Sequence, residues 1–359
     1  MKLSRTILYM VLAGPAAFVA AACSTDVLMD NSGRENRQEQ TPYAIEFSES
    51  LINSSVRATR SGLSGLSDHM TTMGVWGWRS TLDGQIVNET QFRNKQVQFK
   101  DSVWKYTPKK YWIKDSNYRF YAYAPYTQTA SIDSLTGLIS INGVRLSGDN
   151  LMKDVPSASL SNNFHDSSDI DWMVARGGQT AFGSVMAQVE FTMQHILSKI
   201  NVSIRFTKGF KDENFDLVID SLKIGPLTSG GSFRQIYESN TIGDEPEWTP
   251  DNTQSDITLY SAKNTSVDTI KTYILESLVI PQEIEKSKTV KLYYSYNYSD
   301  GRKECSAYVL ELGKAFGARL KSGYSYDLNL IFEPGRITFD ASVSDWATMF
   351  DTNSYLNRP

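Results

Sequence analysis

The residues best placed to do chemistry lie near the N-terminus. Cys23 follows Ala20-Ala21-Ala22 and a charge-free run from Ile7, with Lys2 and Arg5 in front of it. A short apolar run behind positive charges, closing on small residues, reads as a secretory signal peptide rather than a structural helix. A cysteine directly after the small residues forms a lipobox, in which the thiol accepts a diacylglycerol and becomes the first residue of the mature chain. Ala20 stands where leucine is commoner, and the bland alternative is an ordinary cleavage site with an incidental cysteine. Residues 1–22 are therefore expected to be a signal peptide and Cys23 the lipidation site, anchoring the chain at the outer membrane. Further along, Arg57-Ala58-Thr59-Arg60-Ser61-Gly62 places two arginines among small polar residues. Such stretches are where proteases gain access.

Enzymatic chemistry finds no support. There is no Walker loop, metalloprotease helix motif, nucleophile elbow or dinucleotide fingerprint. His69, His165 and His195 stand apart, and His195 reads as a structural residue satisfying backbone groups. Asp166, Asp169 and Asp171 could hold calcium, but they lack the glycine and terminal glutamate of an EF-hand loop and read as a solvated turn. Cys305 reads as a small apolar core residue on a strand. Catalytic residues, metal ligands and cofactors are all expected to be none.

Positioning falls to strands. The chain has 359 residues, room for about two domains. Its formal net charge is −4 without a long basic run, so nucleic acid is not an expected partner. With Cys23 lipidated, Cys305 is left alone and no intramolecular disulfide can form. Tyr (19), Phe (16) and Trp (7) favour strands over helices. Residues 23–69 read as a partly disordered arm, polar except where Tyr43, Ile45 and Phe47 alternate as a short strand. Residues 70–184 and 185–346 read as two β-sandwich domains, and 347–359 as a tail. In the first, Trp76 and Trp78 share a face, Asp83-Gly84 makes a turn, and Trp104 to Tyr126 is rich in aromatics. That block is a core layer or, less simply, a sugar-stacking platform. Val185 to Met193 keeps apolar residues at odd positions, whereas Ile200 to Phe206 keeps them at even ones. The switch at His195-Ile196-Leu197 demands a bulge, corner or strand break, and entry to the second domain is placed in this region. Asp300-Gly301 and Glu333-Pro334-Gly335 mark hairpins, the latter turning into Ile337, Phe339, Ala341 and Val343. Helices should be few and short, with one candidate over 311–321.

Several of these segments, taken in order, carry a resemblance. Trp104, Tyr111-Trp112 and Tyr118-x-Phe120-x-Ala122-Tyr123-Ala124-Pro125 form the first, and Asp171-Trp172-Met173-Val174-Ala175 the second. Val189-x-Phe191-x-x-x-His195-x-x-Ser198-Lys199-Ile200 follows, then Ile280-Pro281-Gln282, Gly323-Tyr324-Ser325-Tyr326 and Ile337 through Asp345-Trp346. Together behind a lipobox they resemble the Bacteroidales fimbrillins, type V pilins. The resemblance implies two tandem transthyretin-like antiparallel β-sandwiches in an all-β chain, exported as a lipoprotein. It implies that an arginine-directed protease removes the arm with the first strand, here Tyr43, Ile45 and Phe47, by cutting after Arg60 or Arg57. Arg34 and Arg37 lie upstream, and anchor subunits of such pili keep their lipid, so shaft, tip and anchor roles all fit. The opened groove would accept a strand from another pilin subunit. The best donor is the C-terminal run carrying Ile337, Phe339, Ala341, Val343 and Trp346. Adhesion to a host or bacterial surface receptor would follow. Two rivals are a monomeric surface glycan-binding lipoprotein that stacks sugars on Trp76, Trp78 or the aromatic block, and a secreted β-sandwich hydrolase.

Overall fold

The computed structural model of the protein describes residues 43–51, 71–147, 169–175, 179–182, 188–210, 215–235, 247–260, 267 and 269–346. Cys23, Arg57, Arg60, His69, His165, Asp166 and the tail 347–359 lie outside the described residues. The first strands are β1 (Phe47–Leu51), β2 (Thr72–Thr81), β3 (Glu89–Lys100), β4 (Val103–Lys105) and β5 (Ser116–Ala124). There follow β6 (Ser131–Ile132), β7 (Ile139–Arg145), β8 (Met173–Ala175), β9 (Gln179–Phe182) and β10 (Val189–His195). The next are β11 (Ser198–Phe206), β12 (Phe215–Thr228), β13 (Gly230–Arg234), β14 (Glu247–Pro250), β15 (Gln254–Tyr260) and β16 (Thr272–Val279). Last come β17 (Gln282–Glu283), β18 (Thr289–Tyr298), β19 (Lys303–Glu311), α1 (Leu312–Phe316), β20 (Arg319–Leu320), β21 (Tyr324–Glu333) and β22 (Arg336–Asp345). The described chain is all β apart from α1, which lies inside the single helix candidate of the sequence.

The strands build two pairs of facing sheets. One is an eight-stranded sheet in the order β1-β10-β8-β5-β2-β3-β4, with β9 also on β5. One of its faces is covered by a sheet ordered β14-β13-β7-β6. The second pair, β16-β11-β21-β22 and β15-β12-β18-β19, encloses a core that includes Ile200, Ile204, Leu222, Leu292, Leu328 and Leu330. The chain changes from the first pair to the second between His195 and Ser198, where the apolar parity switches. Because side chains alternate with period two, that break lets both strands keep their apolar residues inward. The crossing is not a clean division. β13, from the second half of the chain, pairs with β7 and buries Phe233 completely in the first core.

The aromatic residues of β2 and β5 are buried on both faces of their sheet. On β2 and β5, Trp76, Trp78, Tyr121 and Tyr123 pack toward the covering sheet. Met73, Val75, Tyr118, Phe120 and Ala122 pack into a second core on the opposite side. Both tryptophans are buried, so neither offers a face to a sugar. Gly74 lies directly across from Tyr123, and a Cβ there would run into the phenol ring. That ring cannot step aside, since its hydroxyl is bonded to Asn94 and Thr127 and it is fully buried. Gly74→Ala is expected to lower stability by about 1–3 kcal/mol through overpacking. Denaturant unfolding checks this, and an unchanged midpoint would speak against the packing described.

The Asp300-Gly301 hairpin forms as expected between β18 and β19. Gly301 has φ 87°, and the Asp300 carboxylate accepts a hydrogen bond from the Arg302 amide at 3.0 Å. The register corrects one expectation, because it pairs Cys305 with Ser295 and Val309 with Lys291. Tyr308 and Leu310 therefore face the core, and Cys305 is exposed on an edge strand.

Candidate functional site

The short strand in the arm fills a slot in the first sheet. Phe47 to Leu51 pairs in parallel with Val189 to Met193 of β10, and the Val189 amide donates to the Glu46 carbonyl at 2.8 Å. Just upstream, the chain pairs on its other side with the segment that follows β4. The Ile45 amide donates to the Lys110 carbonyl, and the Trp112 amide to the Tyr43 carbonyl, both at 2.9 Å. Ala44 bridges Tyr111. The two ends of the eight-stranded sheet thus curl toward each other and meet around residues 43–47, which close the ring.

Two side chains plug the slot. Ile45 and Phe47 are fully buried, whereas Tyr43 is 49% exposed. Alternation alone puts all three on one face, but Tyr43 sits at the mouth, beyond the floor. Phe47 lies among Phe92, Tyr106, Phe120 and Phe191, with ring centroids 5.3, 5.5, 5.9 and 5.6 Å away. Burial of two such side chains is worth about 3–6 kcal/mol in total. Two side-chain donors hold the backbone: the Tyr106 hydroxyl donates to the Ile45 carbonyl at 2.7 Å, and Gln188 Nε2 to the Phe47 carbonyl at 2.8 Å. Burial pushes the Tyr106 phenol up to about 12, so it remains a neutral donor through the physiological range. Neither Tyr106 nor Gln188 was singled out from sequence for this part. The aromatic run marked Tyr106 only as core, and nothing in the local pattern marks Gln188.

The C-terminal run is an edge strand. β22 is bonded on one side only, to β21, with Ile337, Phe339, Ala341 and Val343 opposite Phe332, Leu330, Leu328 and Tyr326. Residues directly opposite share a face. The β21 members are buried, yet Phe339 is 36% and Val343 47% exposed. This edge of the sheet runs past its cover, so β22 carries an apolar row that its own fold covers poorly. Trp346 differs from the other four, being buried at the meeting of the two sheet pairs.

Among the described residues, Asp169, Asp171 and His195 each have a polar neighbour. The Asp169 carboxylate accepts from the Ser147 amide and hydroxyl. Asp171 is buried rather than on a solvated turn, and its Oδ2 lies 2.8 Å from His195 Nδ1. His195 thus meets a carboxylate instead of backbone groups. Among the described residues no cluster of His, Cys, Asp or Glu could hold a metal ion.

Residues 57–346 match the family described as fimbrillin-like, and the chain belongs to that family. It is a structural and adhesion family, not an enzyme family. Among solved structures, a fimbrial protein from Bacteroides vulgatus is 16% identical with a TM-score of 0.53, over 84% of this chain and 99% of that one. A fimbrial assembly protein from Parabacteroides distasonis is 12% identical with a TM-score of 0.36, over 84% and 99%. The first of these shares the fold. No curated protein matches the chain.

Proposed function

We propose that the protein is a pilin subunit of a surface fimbria, exported as a lipoprotein through Cys23 and assembled by strand exchange for adhesion. In this reading an arginine-directed protease cuts after Arg60 or Arg57, releasing residues 23–60 or 23–57 with the strand at 43–51. Another subunit then fills the vacated slot, and β22 is the strand offered in return. The carrying observation is the slot itself: a strand at the chain's N-terminal end closes the sheet with two buried side chains and a bonded edge on each side. A free sheet edge above an apolar groove is a ready receiver for an added strand, the arrangement that donor-strand pilins use. Fimbrial names among the structural relatives accord with this role. Burial of Trp76, Trp78 and the β5 aromatics removes these residues as a platform for the surface glycan-binding alternative, although Tyr111 of the aromatic block is exposed.

The mature N-terminus and lipid state decide the processing steps. Mass spectrometry of protein from cells is expected to show the acylated precursor beginning at Cys23 and a trimmed form beginning at Ser61 or Ala58. Replacing both Arg57 and Arg60 by alanine should leave only the precursor. A trimmed form unchanged by that double substitution contradicts the cleavage sites, and an unacylated Cys23 contradicts the anchor.

A further inference from the structure

The far end of β22 is fastened by a buried charged cluster that pilin assembly as proposed above does not use. The Trp346 ring lies face to face on the His195 imidazole, with centroids 3.8 Å apart and planes within 3°. Beneath it His195 Nδ1 lies 2.8 Å from Asp171 Oδ2, within ion-pair range but off the line of a hydrogen bond. Lys199 Nζ stands 5.3 Å from the centre of the same indole and 3.4 Å from Glu276 Oε1. Side-chain exposure is 2% for His195, 1% for Asp171, 6% for Lys199 and 4% for Glu276. Leu146, Leu197, Leu278 and Ile280 complete the apolar surround.

The cluster joins many elements. Asp171 precedes β8, His195 ends β10, Lys199 is the second residue of β11, and Glu276 lies on β16. The Trp346 amide donates to the Gly323 carbonyl at 2.8 Å, and the Gly323 amide to Leu197 at 2.8 Å. Trp248 Nε1 donates to the Ile196 carbonyl at 3.0 Å. Asp169, two residues before Asp171, is engaged by Ser147.

Such a cluster is a poor way to gain stability. Buried ion pairs give up hydration that well-packed apolar residues would not. Here Asp171 Oδ1 and His195 Nε2 are buried without a hydrogen-bond partner. Unsatisfied buried polar groups call for a reason other than packing. The count of charges supplies one. Two carboxylates, Asp171 and Glu276, are buried with one ammonium, that of Lys199. When the indole withdraws, water reaches all four groups and the hydration lost on burial is regained. The ring therefore holds the strand by packing, while the charges beneath it favour release.

We propose that Trp346 is a latch: seated on His195, it keeps β22 in its sheet, and β22 leaves only when the indole unseats and opens the charged cluster to water. The link from latch to strand donation rests on the pilin reading, but the latch itself is read on the uncut monomer, without protease or partner.

Hydrogen exchange of the full chain, resolved by peptide, tests it. Trp346→Ala is expected to speed exchange across β22 on the order of tenfold or more, while β2 and β5 keep their protection. Trp346→Phe, which keeps an aromatic face, should fall between this variant and the native chain. The proposal is overturned if β22 protection survives Trp346→Ala, or if β2 and β5 lose as much as β22.

Discussion

Phe47→Ala is expected to cost the uncut chain about 3–5 kcal/mol of stability. The magnitude follows from complete burial among four aromatic rings. Truncating the side chain removes its transfer energy and leaves a cavity that Tyr106 and the surrounding β3, β5 and β10 residues cannot collapse to fill. Ile45→Ala should act in the same direction by about 2–5 kcal/mol, and Tyr43→Ala by far less, because Tyr43 is half exposed. Denaturant unfolding of the three variants gives the ordering. If Tyr43→Ala costs as much as Phe47→Ala, the mouth of the slot has been placed wrongly.

Phe233→Ala should destabilise the first pair of sheets by about 3–5 kcal/mol, although the residue belongs to the second half of the chain. β13 pairs with β7, and Phe233 fills the core shared by Trp76, Trp78, Tyr121 and Tyr123. Its ring also lies 5.6 Å from that of Trp248, which reaches the junction between the sheet pairs. Loss of protection is expected in β7 and on the Tyr121/Tyr123 face of β5, before any loss in β12 or β18. Protection lost first in β12 and β18 would show that β13 serves the second core instead.

That crossing is also where sequence reasoning stops. Alternation says which residues of a strand point inward, and it located the hairpins at Asp300-Gly301 and Pro334-Gly335 and the break after His195. It does not say which distant strand is the partner. β7 and β13 find each other across a long stretch of chain, and either could have paired locally with equal patterning. The double burial of β2 and β5 was hidden for a related reason. A strand covered on both faces carries apolar residues at both parities, so Met73 and Trp76 look alike from sequence. Cys305 was misplaced because the alternating run Cys305, Ala307, Val309 is as regular as the inward one of Tyr308 and Leu310, and only the hairpin register separates them. The arm strand was legible because Tyr43, Ile45 and Phe47 stand between polar stretches. Its depth was not, since exposure at Tyr43 depends on where the sheet ends. Asp171, His195, Lys199 and Trp346 were all noted as resemblance positions, yet their meeting in one buried cluster is a tertiary fact.

The central claim is that the slot held by the arm becomes the seat of another subunit's strand. Hydrogen exchange along β10, whose Val189 amide donates to the arm at 2.8 Å in the uncut chain, tests it most directly. Protection at Val189 to Met193 should be high in the precursor, fall after protease removes the arm, and return when trimmed subunits assemble. The account is contradicted if trimming leaves β10 protected in isolated subunits, or if assembled fimbriae form while β10 remains as open to exchange as in the trimmed monomer.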